Sequence, residues 1–297
     1  MKKKIGISTG ALQSRYGARR AMEICAEAGL DAIDFNLESY GVRNDKVYLG
    51  THEEIYAHFK VLGEYARSLG LEISQTHGRC ITYTSDADQC AFTRWVSERD
   101  ILATAALGAP ACVIHSVSTY RFPDADGAFM HEKNRELYED IIPFAEKYGV
   151  AVALETFGDS KAHGVRVLDY FGDARELKAS YDSLNTRNKM LCMDTGHTNK
   201  AHNVAPEVPD TVEAIRLFGS ELKLLHLNDN NGFTDQHLPP RFPGKEGSLV
   251  WEDIFAALDE IGYTGVYNFE LNLGYNGELL EEYVHYIAKY LRMVVGE

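Results

Sequence analysis

The chain has 297 residues, of which 45% are hydrophobic and 25% charged, a balance that lets a soluble chain bury a large core without disulfides. A formal net charge of −14 works against long-range attraction to polyanions, so nucleic acid and anionic membrane surfaces are disfavoured as partners. Cys25, Cys80, Cys90, Cys112 and Cys192 form an odd set without zinc-finger or redox spacing and read as reduced.

The basic start Met1-Lys2-Lys3-Lys4 is not followed by the apolar run of a signal peptide. No stretch approaches the ~20 apolar residues of a membrane span, which leaves cytoplasm as the expected compartment. The chain then alternates short apolar runs with longer amphipathic stretches. A strand is predicted at 4–9 with a helix at 18–29, a strand at 32–37 with a helix at 51–70, and a strand at 72–77 with a helix at 86–108. Strands at 111–116, 150–156 and 190–195 precede helices at 131–149, 173–184 and 209–219. The last two pairs are strand 222–228 with helix 250–262 and strand 265–271 with helix 276–294.

Local punctuation supports this reading. Thr51 and Glu54 have capping-box spacing, and Gly29, Gly70, Gly108, Gly149 and Gly262 each stand between a helix and the strand that follows. Eight strand–helix units is the number that closes a parallel barrel. A doubly wound sheet would carry a glycine-rich phosphate fingerprint after its first strand, and none is present. The expected architecture is therefore a single (β/α)8 TIM barrel over residues 1–297. Irregular insertions at 157–172 and 229–248 are expected to lie over its functional face.

That face lies at the carboxyl ends of the strands. Reading those ends in turn gives His77, His115, Glu155, Asp194, His226 and Glu270. Any one of these is as often a satisfied polar side chain as a ligand. Six together, at the same end of buried parallel strands, are costly unless paired or metal-bound. Glu155 and Glu270 are each the only charge in their strand. Glu155, Asp194, His226 and Glu270 make an oxygen-rich set that suits manganese, magnesium or cobalt and is compatible with zinc.

These positions lie within Gln75-Thr76-His77, Leu154-Glu155-Thr156, Met193-Asp194-Thr195-Gly196-His197, His226-Leu227-Asn228-Asp229 and Phe269-Glu270. Together with Pro243-Gly244-Lys245-Glu246-Gly247, the motifs resemble those of the xylose-isomerase-like barrel superfamily along almost the whole chain. Its ketose 3-epimerases imply one divalent metal held by Glu155, Asp194, His226 and Glu270, with the two glutamates as acid and base. The resemblance also implies a small sugar or sugar phosphate as substrate. Chemistry would run by proton abstraction beside a metal-chelated carbonyl, through a cis-enediolate. His197, His77 and His115 are implied substrate contacts, and Arg241 is the nearest match to a substrate-binding arginine. A homo-oligomer is common among such enzymes.

A rival lies in the same superfamily. With Asp235 and His237 added, His77, His115, Glu155, Asp194, His197, His226 and Glu270 complete the nine-ligand list of the endonuclease IV group, which holds three zinc ions and acts on abasic DNA. The acidic charge, the absence of a basic stripe and the sequences after His77 and His115 count against that reading. The superfamily also contains polyol and inosose dehydratases, and some barrels only bind a ligand. Phe35, Phe157 and Phe233 are possible walls for a sugar face, although core or rim packing is the commoner fate of such side chains.

Overall fold

The computed structural model describes residues 2–241 and 249–296, without the side chains of Tyr275 and Asn276. Short runs buried on both faces form the strands, in chain order β1 Ile5–Ser8, β2 Ala32–Asn36, β3 Glu72–His77, β4 Ala111–Val113 and β5 Ala151–Glu155. They continue with β6 Asp159–Ala162, β7 Val165–Leu168, β8 Lys189–Asp194, β9 Leu222–His226 and β10 Tyr267–Phe269. Among the described residues, eight of these make one parallel sheet in the order β10-β1-β2-β3-β4-β5-β8-β9. The ring closes just beyond β9, where Leu227 bridges Phe269 in parallel and its amide donates to Asn268 O at 2.8 Å.

The helices are α1 Gly10–Glu27, α2 His52–Ser68, α3 Ala87–Leu107, α4 Gly127–Tyr148 and α5 Ala174–Ser183. After them come α6 Thr195–Val204, α7 Thr211–Phe218, α8 Trp251–Glu260 and α9 Leu280–Val295. Side chains alternate across each strand. Ile5, Ile7, Ile33 and Phe35 face the helices, whereas Ala111, Val113, Ala151, Ala153, Cys192 and Leu224 form a separate cluster of mostly small residues, the filling of the barrel axis. Phe35 is fully buried against Phe59 and is core, not part of a substrate wall.

The barrel expectation is met strand for strand. The Thr51 capping box is present, and the five glycines between helices and strands all adopt positive φ, as a left-handed helix exit requires. Three differences bear on the site. Strand β4 ends at Val113, so His115 stands two residues beyond it. Helix α6 was not expected; it starts directly after β8 because the Asp194 side chain accepts from His197 N at 2.7 Å and caps it. The insertion 157–172, expected to be irregular, contains the antiparallel hairpin β6–β7, whose turn residues His163 and Gly164 both have positive φ, as a tight two-residue hairpin needs. The motif Pro243 to Gly247 lies outside the described residues. Among the described residues, no helix is long and apolar enough to cross a membrane.

Candidate metal centre at the strand ends

Glu155, the last residue of β5, is the hub of the face. It is 2% exposed; its Oε1 meets His226 Nδ1, and its Oε2 lies 3.3 Å from His115 Nε2. His115 Nε2 also stands 3.2 Å from His77 Nε2, while its Nδ1 lies 2.9 Å from Cys80 Sγ. Glu270, just beyond β10, places Oε1 3.7 Å from His77 Nε2 and Oε2 3.5 Å from His226 Nδ1. His77, Glu155, His226 and Glu270 each bring a ligand atom within 4.8 Å of the others.

The expected set and this grouping share Glu155, His226 and Glu270; the fourth member of the grouping is His77, and Asp194 falls in the neighbouring one. Asp194 Oδ1 is engaged in capping α6, and Oδ2 accepts from Asn228 Nδ2 at 2.8 Å. Asp194 instead groups with His197 and His237. This close approach of β8, α6 and the segment after β9 requires glycine at position 196, where an added Cβ would lie 2.0 Å from Asn228 Oδ1.

A second constellation lies beside the first. Asp235 Oδ2 is 3.4 Å from both His197 Nε2 and His237 Nε2. His197 Nδ1 is anchored on Thr156 O at 2.9 Å, and His237 Nδ1 on Glu270 O at 3.0 Å. The ring of Phe157 lies between the constellations, 5.9 Å from His115 and 5.0 Å from His197. It supplies an apolar surface at the site. Phe233 is 61% exposed beneath Arg166 and belongs to the rim.

Electrostatics tie the groups together. Burial opposes ionisation of Glu155, yet His226 and His115 hold it well below the usual carboxylate range. Glu270 is only partly exposed, which opposes ionisation, yet His226, His237 and His77 bring it down to about 2. Asp194 is pushed up by burial and by Glu270 and Glu155, against the pull of His197 and His237. Burial would lower the imidazoles, but the carboxylates around them outweigh it, raising His197 to about 10 and His237 to about 9.

The donor set fits a divalent ion. Glu155 Oε2 is buried without a hydrogen bond, and hard carboxylate oxygens and imidazole nitrogens converge on one small volume. A third acidic cluster, Glu27, Glu281 and His285, lies at the surface where Arg20 pairs with both glutamates.

Arg241, the expected substrate arginine, is turned elsewhere: its guanidinium pairs with Glu252 of α8 at the surface, and its backbone N donates to Asp229 Oδ2 at 2.9 Å. The cation that does reach the site is Lys200, one turn after His197 on α6. It is 8% exposed, with Nζ 2.9 Å from Asp159 Oδ1 and 3.4 Å from Asp235 Oδ1. Asp34 on β2 is the other buried participant, its Oδ2 lying 3.1 Å from His226 Nε2. Neither was singled out from the sequence. Asp34 carried the same signal that marked Glu155, a lone charge in an apolar strand.

The fold is a (β/α)8 barrel with carboxylates and imidazoles clustered at its strand ends, and comparison with known proteins places it further. Residues 22–290 match the xylose isomerase-like TIM barrel family, and the chain belongs to that family. It is 28% identical over 160 residues to an uncharacterised protein of Methanocaldococcus jannaschii, a match covering 52% of this chain and 50% of that protein. The chain thus matches about half the length of its curated relatives. Among solved structures, a D-psicose 3-epimerase crystallised in the presence of D-fructose aligns with a TM-score of 0.71 at 18% identity, covering 99% of this chain and 100% of that one. The IolI protein with a zinc atom aligns with a TM-score of 0.73 at 17% identity, covering 98% of each chain. At these identities the likeness is one of fold.

Proposed function

We propose that the chain is a divalent-metal-dependent isomerase or epimerase of a small sugar or sugar phosphate. The observation that carries this reading is the convergence of two glutamates, the buried Glu155 and the partly exposed Glu270, on one imidazole, His226. Glu155, His226 and Glu270 would hold the ion, with His77 and Asp194 the two contenders for the fourth place. When bound, the ion supplies Lewis-acid polarisation that acidifies the carbon next to a substrate carbonyl.

The remaining steps belong to side chains. One glutamate would remove the proton from that carbon, and the other would return one. Return to the opposite face of the same carbon gives an epimer, and return to the neighbouring carbon interconverts aldose and ketose. His197, its Nδ1 fixed on Thr156 O, would turn Nε2, now 3.4 Å from Asp235 Oδ2, to a substrate oxygen. Phe157 excludes water and offers an apolar face to the sugar ring.

One observation favours a second reading, a phosphodiesterase of the endonuclease IV kind. The nine side chains of its ligand list all occur in the two adjoining constellations. Lys200 against Asp235 counts the other way, because it already provides that carboxylate with a cation. Elemental analysis of protein purified without added metal, and again after reconstitution, separates the readings. About one ion per chain, followed by ketose-dependent proton exchange in heavy water, supports the sugar enzyme. Two or three zinc ions per chain favour the phosphodiesterase, and no metal after reconstitution removes both.

A further inference from the structure

Asp34 is a fully buried carboxylate to which the mechanism above gives no task. Among the described residues its ion pair is with His226, and its second oxygen, Oδ1, makes no hydrogen bond. A buried carboxylate without a lysine or arginine is expensive, and an asparagine of the same shape would be cheaper unless the negative charge is used.

The backbone is shaped to deliver it. The β2–β3 register shifts between Ile33 and Asp34, so Ile33 faces Ile73 while Asp34 faces Gln75, leaving Ser74 as the extra residue. Ser74 Oγ stitches the bulge to Ile33 O at 3.1 Å. Bulges of this kind re-aim side chains beside functional sites. Here the bulge sets Asp34 and Gln75 side by side, both reaching His226 Nε2, at 3.1 and 2.7 Å.

The two ring nitrogens of His226 therefore face different chemistry. Nδ1 meets Glu155 Oε1 and lies 3.5 Å from Glu270 Oε2, whereas Nε2 meets Asp34 and Gln75. We propose that Asp34 is a positioning residue that accepts the Nε2 proton of His226 and so fixes the tautomer in which Nδ1 offers its lone pair to the metal. The Gln75 atom nearest Nε2 is its amide nitrogen; with oxygen and nitrogen of that amide interchanged, the oxygen would share the same proton. A carboxylate behind a ligating imidazole makes it a better donor and locks the ring plane. This inference rests on His226 being a metal ligand, as proposed above.

The test is cobalt(II) binding, read by its visible absorption and by competition with a chelator, in the wild type and in Asp34→Ala, Asp34→Asn and His226→Ala. Thermal unfolding in chelator confirms that each variant is folded, and Asp34→Asn, nearly isosteric, serves if the alanine variant is not. His226→Ala is expected to lose the cobalt signal. Both Asp34 variants are expected to bind roughly 10–100-fold more weakly with an altered spectrum. The asparagine is not a rescue, because its amide can donate to Nε2 and drive the proton onto Nδ1. Wild-type affinity and spectrum in both Asp34 variants, with loss in His226→Ala, would overturn the role of Asp34 alone. No cobalt binding by the wild type, or full binding by His226→Ala, would overturn the metal reading and this inference with it.

Discussion

Lys200 Nζ lies 3.4 Å from Asp235 Oδ1, on the side of the carboxylate away from the two histidines that approach Oδ2. The lysine is buried and also holds Asp159 of the β6–β7 hairpin, so a fixed cation joins the insertion after β5 to the segment after β9. A carboxylate already neutralised in this way is a weaker partner for a dication. Asp235→Asn and His237→Ala are accordingly expected to leave one metal ion per chain, with turnover reduced through loss of the support they give His197 and Glu270. Elemental analysis of the two variants checks this. Loss of all metal would show that Asp235 and His237 belong to one cluster with Glu155, as the phosphodiesterase reading requires.

Glu155→Gln keeps the size of the side chain while removing its charge. The reaction should fall by roughly 10³-fold or more, in the range that removal of a general acid or base commonly costs. The barrel should still form, because the residues packed around β5 are apolar and untouched. Proton exchange into substrate from heavy water, alongside circular dichroism, reads both halves. Near wild-type exchange in a folded Glu155→Gln protein would remove this glutamate from the chemistry.

The parts of this fold that could be read in advance are those where one physical signal dominates. Strands buried on both faces show as apolar runs, and a glycine with positive φ ends a helix in any barrel, so eight units emerge from the residues alone. The strand-end cluster is legible for the related reason that a charge such as Glu155 or Glu270 stands out in an apolar strand. Choosing among them was another matter. Whether Asp194 ligates or caps depends on α6 starting at Thr195, and the sequence Thr195 to Val204 carries little apolar periodicity to announce that helix. The β6–β7 hairpin is hidden because its strands are four residues each and none of their residues is fully buried. Arg241 follows His226 in sequence, but its guanidinium pairs with Glu252 on α8, a tertiary contact that sequence proximity does not announce.

Asp100 predicts a pH dependence of stability. It is buried under the loop after β3, where Tyr48 Oη donates to its Oδ1 at 2.5 Å and Arg79 N donates to its Oδ2 at 3.2 Å. Burial outweighs these bonds and pushes the carboxyl up to about 7, against an ordinary value of 3.8. Between those values the folded chain binds more protons than the unfolded one, so this group's contribution is full below about pH 4 and is lost as pH rises through about 7. The swing amounts to about 4 kcal/mol at most. Asp100→Asn should therefore lose less stability than the wild type between pH 4.5 and 7.5, measured by urea unfolding at both values. Parallel pH dependence in the two proteins would show that the carboxylate is not the group responsible.

Asp229 is a buried carboxylate with a structural task, in contrast to the ligands proposed at the strand ends. It follows His226 by three residues and is fully buried, yet its oxygens are taken up by the backbone and by Trp251. Oδ2 accepts from Trp251 Nε1 at 2.8 Å and from Arg241 N at 2.9 Å, and Oδ1 accepts from Asn230 N at 2.9 Å and Leu249 N at 3.4 Å. One side chain thus fastens the strand-end segment to the start of α8. Asp229→Ala would strand the indole N–H and several amides, at a cost of about 3 kcal/mol in unfolding free energy. Metal content should stay at the wild-type level, because no carboxylate oxygen of Asp229 belongs to either constellation. Urea unfolding and elemental analysis on the same preparation read the two quantities independently. A variant that keeps its stability but loses its metal would reverse the assignment and make Asp229 part of the site.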